Sequence, residues 1–98
     1  MLVPSLIAPT ETARYPGTLM AIDGNTAVVL VECAASEAAG TYPISPSSQM
    51  GEGFATAAAR GELNAFGRPL IFIEPEGEHA AAGVTAGMAM AVLRAANF

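Results

Sequence analysis

The chain has 98 residues, 52% of them hydrophobic and only 13% charged, which bounds it to one domain or part of one and excludes disorder driven by polarity. Nine acidic residues against four arginines leave a net charge of −5. Binding to a nucleic-acid backbone, which needs clustered cations, is therefore excluded as well.

Residues 1–18 read as an extended N-terminal arm, because Pro4, Pro9, Pro16 and Gly17 interrupt every period. Residues 19–98 then form the folded unit. Asp23-Gly24-Asn25-Thr26 offers capping oxygens, and Ala27, Val28, Val31, Ala34, Ala35 and Ala38 follow at helical spacing, which predicts a helix over about 24–38. The β-branched run Val28, Val29, Val31 keeps a strand open as the competing reading of that segment. Thr41-Tyr42-Pro43-Ile44 reads as a short strand running into the turn residues Ser45-Pro46-Ser47-Ser48. A second helix starts at Ser47 or Ser48, runs to about Arg60 and is stopped by Gly61.

Leu70-Ile71-Phe72-Ile73 is four bulky apolar residues between Pro69 and a Glu-Pro-Glu-Gly turn, the pattern of a parallel strand covered on both faces. A third helix opens at Glu78 or the residue before it and reaches about Ala95; being apolar all round, it is expected to be buried all round. Helix, strand, helix, strand, helix is a partial doubly wound α/β sheet. With 21 alanines and 10 glycines in so short a chain, apolar surface is left over, and large contacts with other protein are expected.

Cys33 and His79 are the sole cysteine and histidine, so the chain can form neither an internal disulfide nor a His/Cys metal cage. Any iron–sulfur cluster would sit on another chain or domain. The longest stretch free of formal charge, His79 to Leu93, is short of the ~20 residues a membrane span requires. Residues 1–10 lack the basic start of a secretory signal, which makes the cytoplasm the expected location.

Ligands of open parallel sheets collect beyond the carboxyl ends of the strands. Two loops qualify: the hydroxyl-rich 43–48 and the carboxylate-rich 74–79. Each also has a plain structural reading, as a capped turn and as solvated acids at a helix start. Glu78 differs from its neighbours because the most apolar helix begins there and is expected to carry its carboxylate toward the buried side. A buried carboxylate must be paired, hydrogen-bonded or protonated. Gly83 and Gly87, one turn apart, expose a bare strip for close helix packing; His79 reads as a helix-start residue and Cys33 as a small apolar side chain.

Several motifs in order carry a resemblance: Asp23-Gly24-Asn25-Thr26-Ala27, Tyr42-Pro43-Ile44-Ser45-Pro46-Ser47-Ser48, Met50-Gly51-Glu52, and Glu76-Gly77-Glu78-His79-Ala80-Ala81-Ala82-Gly83. Over about residues 15–98 the chain resembles the pyrimidine-binding domain of pyruvate:ferredoxin oxidoreductase and related 2-oxoacid:acceptor oxidoreductases. The resemblance implies thiamine diphosphate as cofactor, with Mg²⁺ and iron–sulfur clusters on other domains or chains. It further implies oxidative decarboxylation of a 2-oxoacid, pyruvate being favoured, onto coenzyme A, with electrons passed to ferredoxin or flavodoxin. Glu78 matches the position of the cofactor-activating glutamate, whose carboxyl group bonds N1′ of the aminopyrimidine. Ser45 stands where the family places a threonine near substrate and cofactor, so the hydroxyl is kept and the methyl is lost. Gly77 stands where related chains commonly carry Ser, which loosens the loop that aims Glu78.

No diphosphate or Mg²⁺ motif of the Gly-Asp-Gly to Asn kind occurs, and no cluster cysteines. The expectation is a fragment or subunit, inactive alone, that works with the remaining domains of a homo-oligomeric enzyme. The alternative is a non-catalytic assembly module of the same fold, and a free-standing small-ligand binder is the weakest reading.

Overall fold

The computed structural model describes residues 14–98, so the arm expected over 1–18 falls largely outside the described residues. Six elements follow in order: α1 (Gly24–Ala35), β1 (Ala38–Gly40), α2 (Ser48–Ala59), β2 (Ile71–Ile73), α3 (Glu78–Met90) and β3 (Ala95–Asn97). Asp23 caps α1 as its position predicts: its carboxylate accepts the Thr26 N–H at 2.7 Å, and hydrogen bonding from the Thr26 side chain and backbone holds the acid below its ordinary pKa. Asn25 then donates to Gln49 at 2.7 Å, tying the first turn of α1 to that of α2. Val28 to Val31 are helical, which removes the competing strand.

The three strands form one parallel sheet in the order β2-β1-β3, with Ala39 level with Phe72 on one side and Ala96 on the other. The first strand lies at Ala38–Gly40 and not at Thr41–Ile44, which forms the following loop. Its small residues are poor strand formers by propensity. Their value is sterical, since a central strand with helices on both faces needs little side chain where those helices approach. The helix predicted over 24–38 accordingly stops at Ala35.

The third helix stops at Met90 and a third strand follows where helix was expected to continue to Ala95. The stop is a hydrogen-bonded C-terminal motif: Val92 N–H donates to the Ala89 carbonyl and Leu93 N–H to that of Met88, with Val92 at φ 66°. The same bonds end α2, from Gly61 to Ala58 and from Glu62 to Ala57, with Gly61 at φ 74°. Glycine adopts that conformation without penalty, and Val does not.

Successive strand residues face opposite sides, and this sorts the packing. Ala39 and Phe72 face α2, where fully buried Phe54 meets the rings of Phe72 and Phe98 at centroid distances of 6.4 and 5.9 Å. Cys33 of α1 packs against this cluster as a small apolar group, and burial together with Glu62 and Glu32 pushes its thiol pKa up. On the other face α3 packs over β1 and β3. It leaves β2 bare there, so Ile71 and Ile73 are 45% and 40% exposed and the expected double cover of this strand is half complete. Of α3 itself only Ala81 and Met88 are buried, in place of the all-round burial its composition predicts. No described element lies over its outer side, and Gly83 and Gly87 face open space.

Behind β2, buried Asn64 organises the turn that leads into the strand. Its amide donates to the Ser36 carbonyl at 3.1 Å and accepts the Phe66 and Arg68 N–H groups at 3.0 Å each.

Candidate functional site

Because β1 and β2 are parallel neighbours, the loops that follow them emerge at one edge of the sheet. Thr41, directly after β1, ties this edge together: its N–H donates to the Ile73 carbonyl at 3.1 Å and its hydroxyl to the Phe98 carbonyl at 3.1 Å. Gly51 makes room for it, since a Cβ there would lie 2.9 Å from the Thr41 hydroxyl. The loop then turns through Pro43 and a cis Ser45–Pro46 bond into α2, with the Ser47 hydroxyl donating to the Ile44 carbonyl at 2.8 Å. Ser45 is exposed on this loop.

Glu78 opens α3 at the end of the second loop and is exposed. The N-cap is Gly77, which supplies no side-chain cap. At 100° per residue Glu78 lies about 20° around the helix from Thr85 and two turns before it. Thr85 belongs to the stripe that packs on the sheet, where its hydroxyl donates to the Ala81 carbonyl at 2.9 Å and stands 3.1 Å from the Asn97 side chain. Glu78 thus continues the sheet-facing stripe past the strand ends. The sheet no longer lies beneath it there, and this is why the expected burial is not met by the described residues alone. His79, beside it, is exposed as expected.

The chemistry of these groups fits one end of an aminopyrimidine ring. A carboxyl group could share a proton with a ring nitrogen, and Glu78 has no cationic partner among the described residues, whose one ion pair is Arg60 with Glu62. The volume does not suffice, however. The hollow between the two loops, lined by Thr41, Pro43, Gly51, Phe72 and Glu74, holds about 70 Å³, against the ~300 Å³ at which ligand clefts begin. A larger cleft of about 600 Å³ lies between α1, α2 and residues 60–65, and neither hollow is lined by Glu78 or Ser45.

Gly40, Thr41 and Thr85 are part of this architecture and carried no signal in the sequence reading. Thr85 could have been found as the one hydroxyl-bearing residue in an otherwise apolar stretch, from Ala80 to Leu93. No described helix is long and apolar enough to cross a membrane.

Comparison with known proteins bears on the identity of this edge. Residues 30–98 match the family described as pyruvate flavodoxin/ferredoxin oxidoreductase, thiamine diphosphate-binding. The chain is 39% identical over 71 residues to a pyruvate-flavodoxin oxidoreductase of Klebsiella pneumoniae, covering 72% of this chain. It is 47% identical over 66 residues to a pyruvate:ferredoxin oxidoreductase of Moorella thermoacetica, covering 67% of this chain. Against the mitochondrial pyruvate dehydrogenase [NADP(+)] of Euglena gracilis it is 36% identical over 100 residues, covering 98% of this chain. In each case the match takes in 6% of the relative's own length. With a parallel α/β sheet, two loops at its carboxyl edge and these similarities in agreement, the chain belongs to the pyruvate flavodoxin/ferredoxin oxidoreductase family, in its thiamine diphosphate-binding domain.

Proposed function

We propose that this chain forms the pyrimidine side of a thiamine diphosphate site in a 2-oxoacid oxidoreductase, with Glu78 as the group that bonds N1′ of the ring and Ser45 as a hydroxyl beside the substrate. The observation that carries the reading is the position of Glu78: it opens α3 on the sheet-facing stripe, beyond the strand ends, with no cation beside it among the described residues. When bound, the cofactor supplies the nucleophilic carbon and the electron sink needed to break the bond between a 2-oxo carbon and its carboxylate. The work of this chain is narrower. Glu78 would hold N1′ of the ring through a shared proton, and the bound ring would supply the base through its 4′ nitrogen. Ser45 can donate a hydrogen bond to a substrate carboxylate. Other domains or chains close the site, exclude water and carry Mg²⁺, the diphosphate contacts and the iron–sulfur clusters.

The substrate is a 2-oxoacid, with pyruvate favoured because the names of the relatives specify it. Coenzyme A accepts the acyl group, ferredoxin or flavodoxin takes the electrons, and the assembly is a cytoplasmic homo-oligomer. The large exposed apolar surface, including Leu19, Val31, Met90 and Val92, supports a partner-dependent chain.

The test is Glu78→Gln in the purified native complex that contains this chain. Loss of a positioned acid predicts a fall of about 10²- to 10⁴-fold in pyruvate-dependent reduction of a viologen dye. Normal turnover would remove Glu78 from the mechanism. Failure of the unaltered complex to bind thiamine diphosphate in a calorimetric titration would favour the non-catalytic assembly module.

A further inference from the structure

We infer that Gly40 and Thr85 are positioning residues that set where α3 rests on the sheet and so where Glu78 is held; the inference rests on the role proposed for Glu78. A Cβ at Gly40 would lie 2.6 Å from the Thr85 hydroxyl and 3.1 Å from the Ala81 carbonyl. The missing side chain of the last residue of β1 is therefore the seat of the helix. Thr85 fills that seat, its hydroxyl donating to the Ala81 carbonyl and standing beside Asn97 of β3. The same side chain thus meets both strands that α3 covers.

The contact governs the pose because little else does. Ala81 and Met88 are the only buried residues of α3, and both lie on the stripe that contains Thr85. Glycines 83 and 87 meet nothing, and the outer side of the helix is bare. An added methyl at Gly40 cannot be absorbed by a rotamer change alone. The Thr85 hydroxyl is the closest clash, and the Ala81 carbonyl, being backbone, gives its few tenths of an ångström only with the helix. Ala81 is three residues from Glu78, within the same turn, so a shift that relieves this carbonyl displaces the carboxylate with it. Thr85, by contrast, is about 10 Å along the axis from Glu78 and acts through the helix, without touching the ring site.

The experiment compares Gly40→Ala, Gly40→Ala/Thr85→Ala and Glu78→Gln in the native complex stripped of cofactor, with thiamine diphosphate titrated by calorimetry. Hydrogen exchange of the peptide covering residues 78–91 reports the seating of α3 independently of activity. Gly40→Ala is expected to weaken thiamine diphosphate binding about ten- to a hundredfold, the scale of a small misplacement, and to speed exchange across α3. It should lower kcat while leaving KM for pyruvate unchanged. Removing the Thr85 side chain relieves the closest clash, so the double variant should recover affinity to within about tenfold of the parent while still exchanging faster than it. If Gly40→Ala fails to assemble, restored assembly in the double variant is the expected result, and failure of both overturns the inference. Parental affinity and exchange in Gly40→Ala, or a double variant no better than the single, also overturns it. Glu78→Gln separates this inference from the reading beneath it. Undiminished turnover there removes the cofactor role and the inference together, whereas lost turnover beside an unaffected Gly40→Ala removes the inference alone.

Discussion

Val92→Gly should stabilise the end of α3. Val92 sits at φ 66° in the position after the helix cap that glycine usually occupies, and its side chain is 89% exposed. Removing that side chain forfeits almost no burial. A left-handed conformation costs a non-glycine residue about 1–2 kcal/mol, and β-branched residues tolerate it least. Glycine returns about 0.5–1 kcal/mol of that through the greater freedom of its unfolded chain. The net gain is about 0.5–1 kcal/mol, equivalent to roughly two- to fivefold slower opening of the segment. Hydrogen exchange of the Val92 and Leu93 amides in the native complex measures this directly, since their bonds to Ala89 and Met88 define the motif. The converse substitution, Gly61→Val, places the same side chain in the matching motif of α2 and should destabilise it by about 0.5–1 kcal/mol, the same difference reversed. Faster exchange in Val92→Gly, or a neutral Gly61→Val, would refute the argument from backbone conformation.

Three further outcomes follow from the packing. Phe54→Ala empties the site shared with Phe72 and Phe98 and should cost about 3–5 kcal/mol, seen as a collapse of exchange protection across α2 and β2, whereas Phe54→Leu should retain most of it. Asn64→Ala removes three hydrogen bonds to the backbone, worth about 3 kcal/mol together, and should speed exchange of the Phe66 and Arg68 amides roughly a hundredfold. Asn64→Asp keeps the acceptor for those two amides but sets a carboxylate against the Ser36 carbonyl, so it too should destabilise the turn. Cys33, whose pKa burial raises above that of an ordinary thiol, should react slowly with iodoacetamide at neutral pH; its rate should climb only at a pH higher than for a free thiol, and a rate matching free cysteine would contradict its packing.

The elements that announce themselves by local chemistry are where the sequence places them. Asp23 caps α1, the Ser-rich loop leads into α2, Gly61 ends it, and β2 lies within Leu70–Ile73. The errors fall where tertiary contact decides. Ala38–Gly40 is a strand because it is paired on both sides and must be thin, a reason invisible in its own propensity. The start of β3 was hidden because Val92 ends α3 in a conformation that the sequence signals only when glycine occupies it. Composition identified α3 as a helix in need of cover, but which side the chain covers depends on where it rests on β1 and β3. For the proposed site, only the placement of Glu78 and Ser45 beyond the ends of parallel strands was legible. Gly40 and Thr85 were not, since neither bears on chemistry until the helix is seen seated on the strand.

The central claim is that the carboxylate of Glu78 meets the pyrimidine ring of thiamine diphosphate. A crystal or cryo-electron-microscopy structure of the native complex with the cofactor bound tests it most directly. The account predicts a Glu78 carboxylate oxygen at hydrogen-bond distance, about 2.6–3.2 Å, from N1′, with the bare first turn of α3 covered by another domain or chain. A different acid at N1′, with Glu78 still turned to solvent, would contradict it.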